Sequence, residues 1–159
     1  MKEISILMVC LGNICRSPMA DGLLQKKVSE FKLPVAVDSA GTGDWHVGNP
    51  PDERMRATAK HYGVPIDHLR ARQFKAADFD HFDQIYVMDL SNQQNVLRLA
   101  RNKSDEERVK LLLNELHPGS DMEVPDPYFG GEKGFHEVFK LLDDATQKVV
   151  EKLKQQVNE

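Results

Sequence analysis

The sequence predicts an α/β fold in which a parallel sheet is covered by helices on both sides. Three observations lead there. Short apolar runs suited to buried strands alternate with stretches of helical periodicity, as repeated strand–helix units do. The first run, Ile4 to Val9, gives way through a short loop to a helical pattern. Near the C-terminus, the stretch from about Gly134 to Val157 carries a long apolar face, wide enough to cover a sheet.

Taken in order, Ile4 to Val9 is a strand bounded by the polar pair Lys2-Glu3. In the helix after it, Ala20, Leu23, Leu24, Val28 and Phe31 fall on one face. Ser17 and Pro18 stand where a helix start wants an N-cap and a first-turn proline. Between strand and helix runs Cys10-Leu11-Gly12-Asn13-Ile14-Cys15-Arg16. A strand that leads through a loop to a helix N-terminus makes an anion site. Gly12 and Asn13 are the residue types that tolerate left-handed backbone angles. Such a loop can turn successive N–H groups inward as a nest for a tetrahedral oxyanion. Arg16 would close the bowl with a planar fork that holds two phosphoryl oxygens at once. The positive potential favours the thiolate of Cys10, since thiols in such settings ionise at roughly 3.5–7.5. A thiolate facing a phosphoryl group is a nucleophile for covalent catalysis. The plainer reading makes Cys10 a small core residue and Arg16 a surface cation, because Cys-x5-Arg arises often by chance. The glycine, the asparagine, the Ser-Pro pair and the preceding strand together weigh against it.

Pro34 to Ser39 reads as a second strand, with Ala40 to Gly43 as the turn leaving it. Asp44 to Pro51 holds too many breakers for a regular element and is a loop. It contains Trp45, the only tryptophan, whose commoner fate is to be a hydrophobic anchor. Asp52 caps a helix to about Tyr62 that stops at Gly63, with Met55, Thr58, Ala59 and Tyr62 on one face. Arg70 and Arg72 are structural or solvated cations, and Asp78-Phe79 starts a short turn. Gln84 to Asp89 is a third strand ending in an acid. Ser91 caps a helix to about Arg101, Arg108 to Leu113 is the fourth strand, and the last helix closes the chain.

At 159 residues, residues 1–159 form one domain, long enough to bury about 70% of its unfolded surface. A net charge of −4 argues against general nucleic-acid binding. The N-terminal apolar run falls well short of the about 20 residues a membrane span needs, and it lacks a basic lead and a cleavage site. The two cysteines, Cys10 and Cys15, give no disulfide framework. A reactive thiolate needs a reducing compartment, which points to the cytoplasm. The six histidines show no ligand-pair spacing, so no metal site and no cofactor is expected.

Glu123 to Gly131 is the other informative stretch. Pro127 restricts Asp126 to extended angles and Pro125 stiffens the approach. Alone, such an acid is a turn former. Beside a thiolate phosphate loop it becomes the natural general acid, worth about 10²–10⁴ in rate.

The loop Val9-Cys10-Leu11-Gly12-Asn13-Ile14-Cys15-Arg16-Ser17-Pro18 resembles the signature of the low-molecular-weight protein tyrosine phosphatases, and Asp126-Pro127-Tyr128 matches that family's acid motif. The segment around Arg72-Gln73 is similar as well. The resemblance implies a doubly wound four-stranded parallel sheet with the phosphate loop after strand 1. It implies a phosphotyrosyl protein or peptide as substrate, inorganic phosphate as product, and a monomer or weak dimer. It further implies a nucleophile at Cys10, a clamp at Arg16 and an acid at Asp126, with the loop residues Leu11 to Cys15 and Ser17 holding the phosphate. In the same terms Ser17 stabilises the Cys10 thiolate, Asn13 fixes the loop, and Ser39 steadies Asn13. Asp89 supports the loop, Trp45 and Tyr128 wall the substrate ring, and Cys15 can trap an oxidised Cys10 as a disulfide. Arsenate reduction on this fold relays electrons through a downstream cysteine pair, which is missing here. Arginine phosphatases on the fold carry threonine where this chain has Ile14. A phosphate-binding module without catalysis would lose the acid that Asp126 supplies.

Overall fold

The computed structural model describes residues 2–128 and 130–159. At its centre lie β1 (Ile4–Cys10), β2 (Val35–Gly41), β3 (Gln84–Val87) and β4 (Val109–Leu111). They form a four-stranded sheet in the order β2-β1-β3-β4, every neighbouring pair parallel. β1 is central and buried along almost its whole length, so it reads as one apolar run rather than an alternation. From β1 the chain winds first to β2 on one side and then to β3 and β4 on the other. The winding therefore reverses between β1 and β3, and the loop leaving Cys10 opens at that switch point, where ligands of open α/β sheets bind.

The period of two along β1 sends Ile4, Ile6, Met8 and Cys10 to one face and Leu7 and Val9 to the other. On the first face they join the buried side chains of α1 (Arg16–Glu30), α2 (Glu53–His61) and α6 (Glu132–Gln156). On the second face Leu7 and Val9 meet Phe79 of α3 (Asp78–His81), Val96 of α4 (Leu90–Leu97), Phe74, Ile85, Val87 and Leu111. A short α5 (Lys103–Glu107) precedes β4.

Several elements differ from the sequence reading. Ser17 is not the N-cap of α1: the helix begins at Arg16 and no side chain caps it. Phe31 leaves the apolar face, is 45% exposed, and packs its ring under the Lys154 ammonium at 3.2 Å. β2 runs on to Gly41 because parallel pairing continues to Cys10. β3 stops at Val87, and Asp89 rather than Ser91 caps α4, accepting from the Asn92 N–H at 2.7 Å. The fourth strand is three residues long, since Leu112–Glu115 turns into a 3-10 helix. Asp52 does cap α2, accepting from the Arg54 N–H at 2.8 Å, and Gly63 follows that helix at φ +74°.

Candidate active site

The loop from Cys10 to Arg16 leaves the C-terminal edge of β1 and enters α1. Asn13 takes a left-handed φ of 58°. Gly12 does not, and a Cβ there would lie 3.0 Å from Cδ2 of His46, whose ring would have to shift by a few tenths of an ångström. Gly41 of the adjacent strand is needed for space, because a Cβ would come within 2.8 Å of the Leu11 carbonyl.

Asn13 is the hub of the loop. Its Nδ2 donates to the Ser17 and Ser39 hydroxyls at 2.8 and 3.0 Å, and its Oδ1 accepts from the Arg72 N–H at 3.0 Å. All three side chains, Asn13, Ser17 and Ser39, are buried. The Ser17 hydroxyl, which accepts from Asn13, lies 3.0 Å from Sγ of Cys10 and donates to the Ala40 carbonyl at 3.4 Å. The Ser17 N–H donates to the same sulfur at 3.4 Å. Ser17 thus meets the Cys10 sulfur through both its hydroxyl and its N–H.

Arg16 is buried, and its Nη1 donates to Oδ2 of Asp89 at 2.7 Å and to the Val124 carbonyl at 3.0 Å. Its Nη2 lies 3.6 Å from Oδ2 of Asp126. Burial works against this charge, but Cys10, Asp89 and Asp126 outweigh it and hold the guanidinium above its ordinary pKa. Asp126 sits on the loop before α6, and its Oδ1 accepts from the Tyr128 N–H at 3.0 Å. Its side chain is 38% exposed, open to the cleft.

The cleft, about 170 Å³, is lined by Cys10, Leu11, Gly12, Ile14, Cys15, Arg16, Trp45, His46, Asp126 and Tyr128. Trp45 is 69% exposed, and Tyr128 lines the same cleft with its ring 6.4 Å from that of His46. Asn13, Ser17, Ser39 and Asp89 stand behind the lining and support it. Cys15 is buried, and burial followed by the nearby Asp52 charge pushes its thiol well above the ordinary range. His46, also in the lining, belongs to no motif in the sequence. Its only signal was adjacency to Trp45 in a loop of breakers. Arg72, half-buried between Asp38 and Asp78, is a structural cation. Among the described residues, no three His, Cys, Asp or Glu side chains gather to hold a metal ion.

Residues 5–159 match the family model described as low molecular weight phosphotyrosine protein phosphatase. A protein of that name from Schizosaccharomyces pombe is 42% identical over 149 residues, 92% of this chain and 94% of its own. A crystal structure of a protein tyrosine phosphatase from Entamoeba histolytica is 36% identical with a TM-score of 0.89, covering 97% of this chain and 99% of that one. The structure of YfkJ from Bacillus subtilis is 35% identical with a TM-score of 0.88, covering 98% of each.

Proposed function

The chain belongs to the low-molecular-weight phosphotyrosine protein phosphatase family, and we propose that its residues 1–159 act as one catalytic domain with Cys10 as nucleophile, Arg16 as clamp and Asp126 as general acid. As a member of that family the protein is a cysteine-dependent, metal-independent protein tyrosine phosphatase. One observation carries the residue roles: Cys10 and Asp126 line the same cleft, and Arg16 stands between them, 3.6 Å from the carboxylate.

In the first step the Cys10 sulfur attacks phosphorus and forms an S–P bond while the P–O bond to the aryl group breaks. The proton of Asp126 passes to the departing phenolic oxygen. In the second step a water attacks phosphorus, gives its proton to Asp126, and the S–P bond breaks to release inorganic phosphate and restore the thiolate. Through both steps the loop N–H groups of Leu11 to Cys15 and the Arg16 fork hold the equatorial oxygens, so catalysis is positioning plus electrostatics. Asn13, Ser17, Ser39 and Asp89 position these groups.

The substrate is a phosphotyrosyl protein or peptide. Ile14 is a buried, branched apolar wall of the cleft and offers no hydroxyl to a phosphoguanidinium. Trp45 and Tyr128 suit a flat phenyl ester. Phosphoserine holds its phosphorus too near the backbone to reach the bowl. The protein acts in the cytoplasm as a monomer or weak dimer, without nucleic acid or membrane. Its two free cysteines fit a reducing compartment, and among the described residues no helix is long and apolar enough to cross a membrane.

The test compares phosphotyrosyl and phosphoarginyl peptides on the parent, Ile14→Thr and Cys10→Ser. The parent is expected to favour phosphotyrosine, Ile14→Thr to move the ratio towards phosphoarginine, and Cys10→Ser to bind phosphate without turnover. A parent that prefers phosphoarginine, or an active Cys10→Ser, refutes the reading.

A further inference from the structure

We propose that Arg54 is a positioning residue that braces the Asp126 loop over Cys10. The inference rests on the assignment of Asp126 as the acid. It starts at Asp52, whose N–H donates to the Ile14 carbonyl in the phosphate loop at 2.8 Å. The Asp52 carboxylate then holds the Arg54 side chain, accepting from Nε at 3.2 Å and from Nη2 at 3.1 Å. The far edge of the same guanidinium reaches the acid loop. Nη2 donates to the Tyr128 carbonyl at 2.8 Å and Nη1 to the Gly130 carbonyl at 3.4 Å. Its face covers the rings of Tyr128 at 5.4 Å and Phe135 at 4.7 Å, the latter fixed in the core at the start of α6.

A continuous polar link thus runs from the nucleophile's loop through Asp52 and Arg54 to the two carbonyls that follow Asp126. The acid loop has no regular structure between residues 121 and 128. Before the acid it is held by Val124, whose N–H donates to the Met88 carbonyl and whose carbonyl accepts from Arg16. Arg54 supplies a hold on the other side. Only a guanidinium has the donors and the planar shape to face a carboxylate and two carbonyls at once; an ammonium is a point charge. A displacement of about 1 Å at a reacting group can cost on the order of 10²-fold, so the hold bears on rate. Because Arg54 acts through Asp126, its loss falls on leaving-group protonation and spares phosphate binding.

The test measures kcat/KM on p-nitrophenyl phosphate, whose leaving group needs little protonation, and on phenyl phosphate, whose leaving group needs more. The variants are Arg54→Met, Arg54→Lys, Asp126→Ala and the Arg54→Met/Asp126→Ala pair. Arg54→Met is expected to lose about tenfold more on phenyl phosphate than on the nitrophenyl ester. Arg54→Lys shows the same bias, and inhibition by inorganic phosphate stays within about twofold of the parent. On the Asp126→Ala background, Arg54→Met removes no more than about a further twofold. Equal losses on both esters, phosphate inhibition that weakens in step, or additive losses in the pair overturn the brace. An Asp126→Ala variant that loses equally on both esters overturns the acid assignment and the brace with it. A leaving-group bias in Asp126→Ala without one in Arg54→Met removes the brace alone.

Discussion

Asn13 gives both amide protons to serine hydroxyls, and each hydroxyl must then direct its own proton elsewhere. For Ser17 the Ala40 carbonyl at 3.4 Å and the Cys10 sulfur at 3.0 Å are in reach. Asp21 of α1 is fully buried, and its Oδ1 accepts from Gln25 at 2.6 Å. Burial dominates this contact and pushes the Asp21 pKa from 3.8 up to about 6. The folded state therefore holds this proton more tightly than the unfolded chain. Its contribution to stability is complete below pH about 3.8 and is lost as pH rises through about 6. At 1.36 kcal/mol per pKa unit, the change is on the order of 3 kcal/mol. Asp21→Asn removes the titration, so denaturant unfolding at pH 4 and pH 7.5 should show the variant gaining on the parent by that order. A difference that stays flat across the window means Asp21 does not titrate there. At this scale the sequence pointed to Cys10, Arg16 and Asp126 through their types and spacing, and the structure brings the three to one cleft. Asp21, His46 and Arg54 were illegible, since each owes its setting to residues distant along the chain.

The junction of β3 and α4 shows how one element serves both fold and site. Asp89 follows a strand only four residues long. One carboxylate oxygen caps α4 and the other takes Nη1 of Arg16. Asparagine can keep the cap but not the charge, and alanine keeps neither. Asp89→Asn should lose about 2 kcal/mol, below the usual toll of breaking a buried pair because Asp126 still faces Arg16. Asp89→Ala should lose about 1 kcal/mol more through the helix end. Phosphate should inhibit both variants less than the parent. Equal unfolding free energies for the two would show that the cap adds nothing. The same junction explains what element reading missed. The sequence reading ran the strand on to Asp89 and put the cap at Ser91, and only the pairing of β3 with β1 and β4 decides where the strand stops. Strand β4 blurred into Leu112 and Leu113 because an unbroken apolar run carries no period. α5 is short and charged, held by the Asn102 cap and the Arg101–Asp105 pair, so no apolar spacing announced it. β1, α2 and α6 were legible because burial sets their patterns directly.

Across the whole molecule, the candidate site gathers at one end of the sheet, and the core beneath it runs on to the other end. Cys10, Arg16, Asp89 and Asp126 gather at the C-terminal ends of the strands. The last turns of α6 lie at the other edge: Gln156 accepts from Gln84 at the start of β3, and the Val157 carbonyl accepts from the Lys2 N–H. A seven-residue strand separates the two edges by about 20 Å. Leu153, 1% exposed on that distant part of α6, belongs to the core shared with α1. Leu153→Ala removes buried methyl groups and leaves a cavity, a loss of about 3 kcal/mol. For a chain of this size that corresponds to a fall in Tm of about 10 °C. The site should not register it, because the Asn13 hub and the Arg16 pairs are assembled from residues at the other edge. Hence kcat/KM at 25 °C should stay within about twofold of the parent while thermal unfolding moves down. Cys10→Ser should do the reverse, abolishing turnover with little change in Tm. If Leu153→Ala loses activity well below its melting temperature, the phosphate loop depends on packing at the far edge and the two edges are not separable.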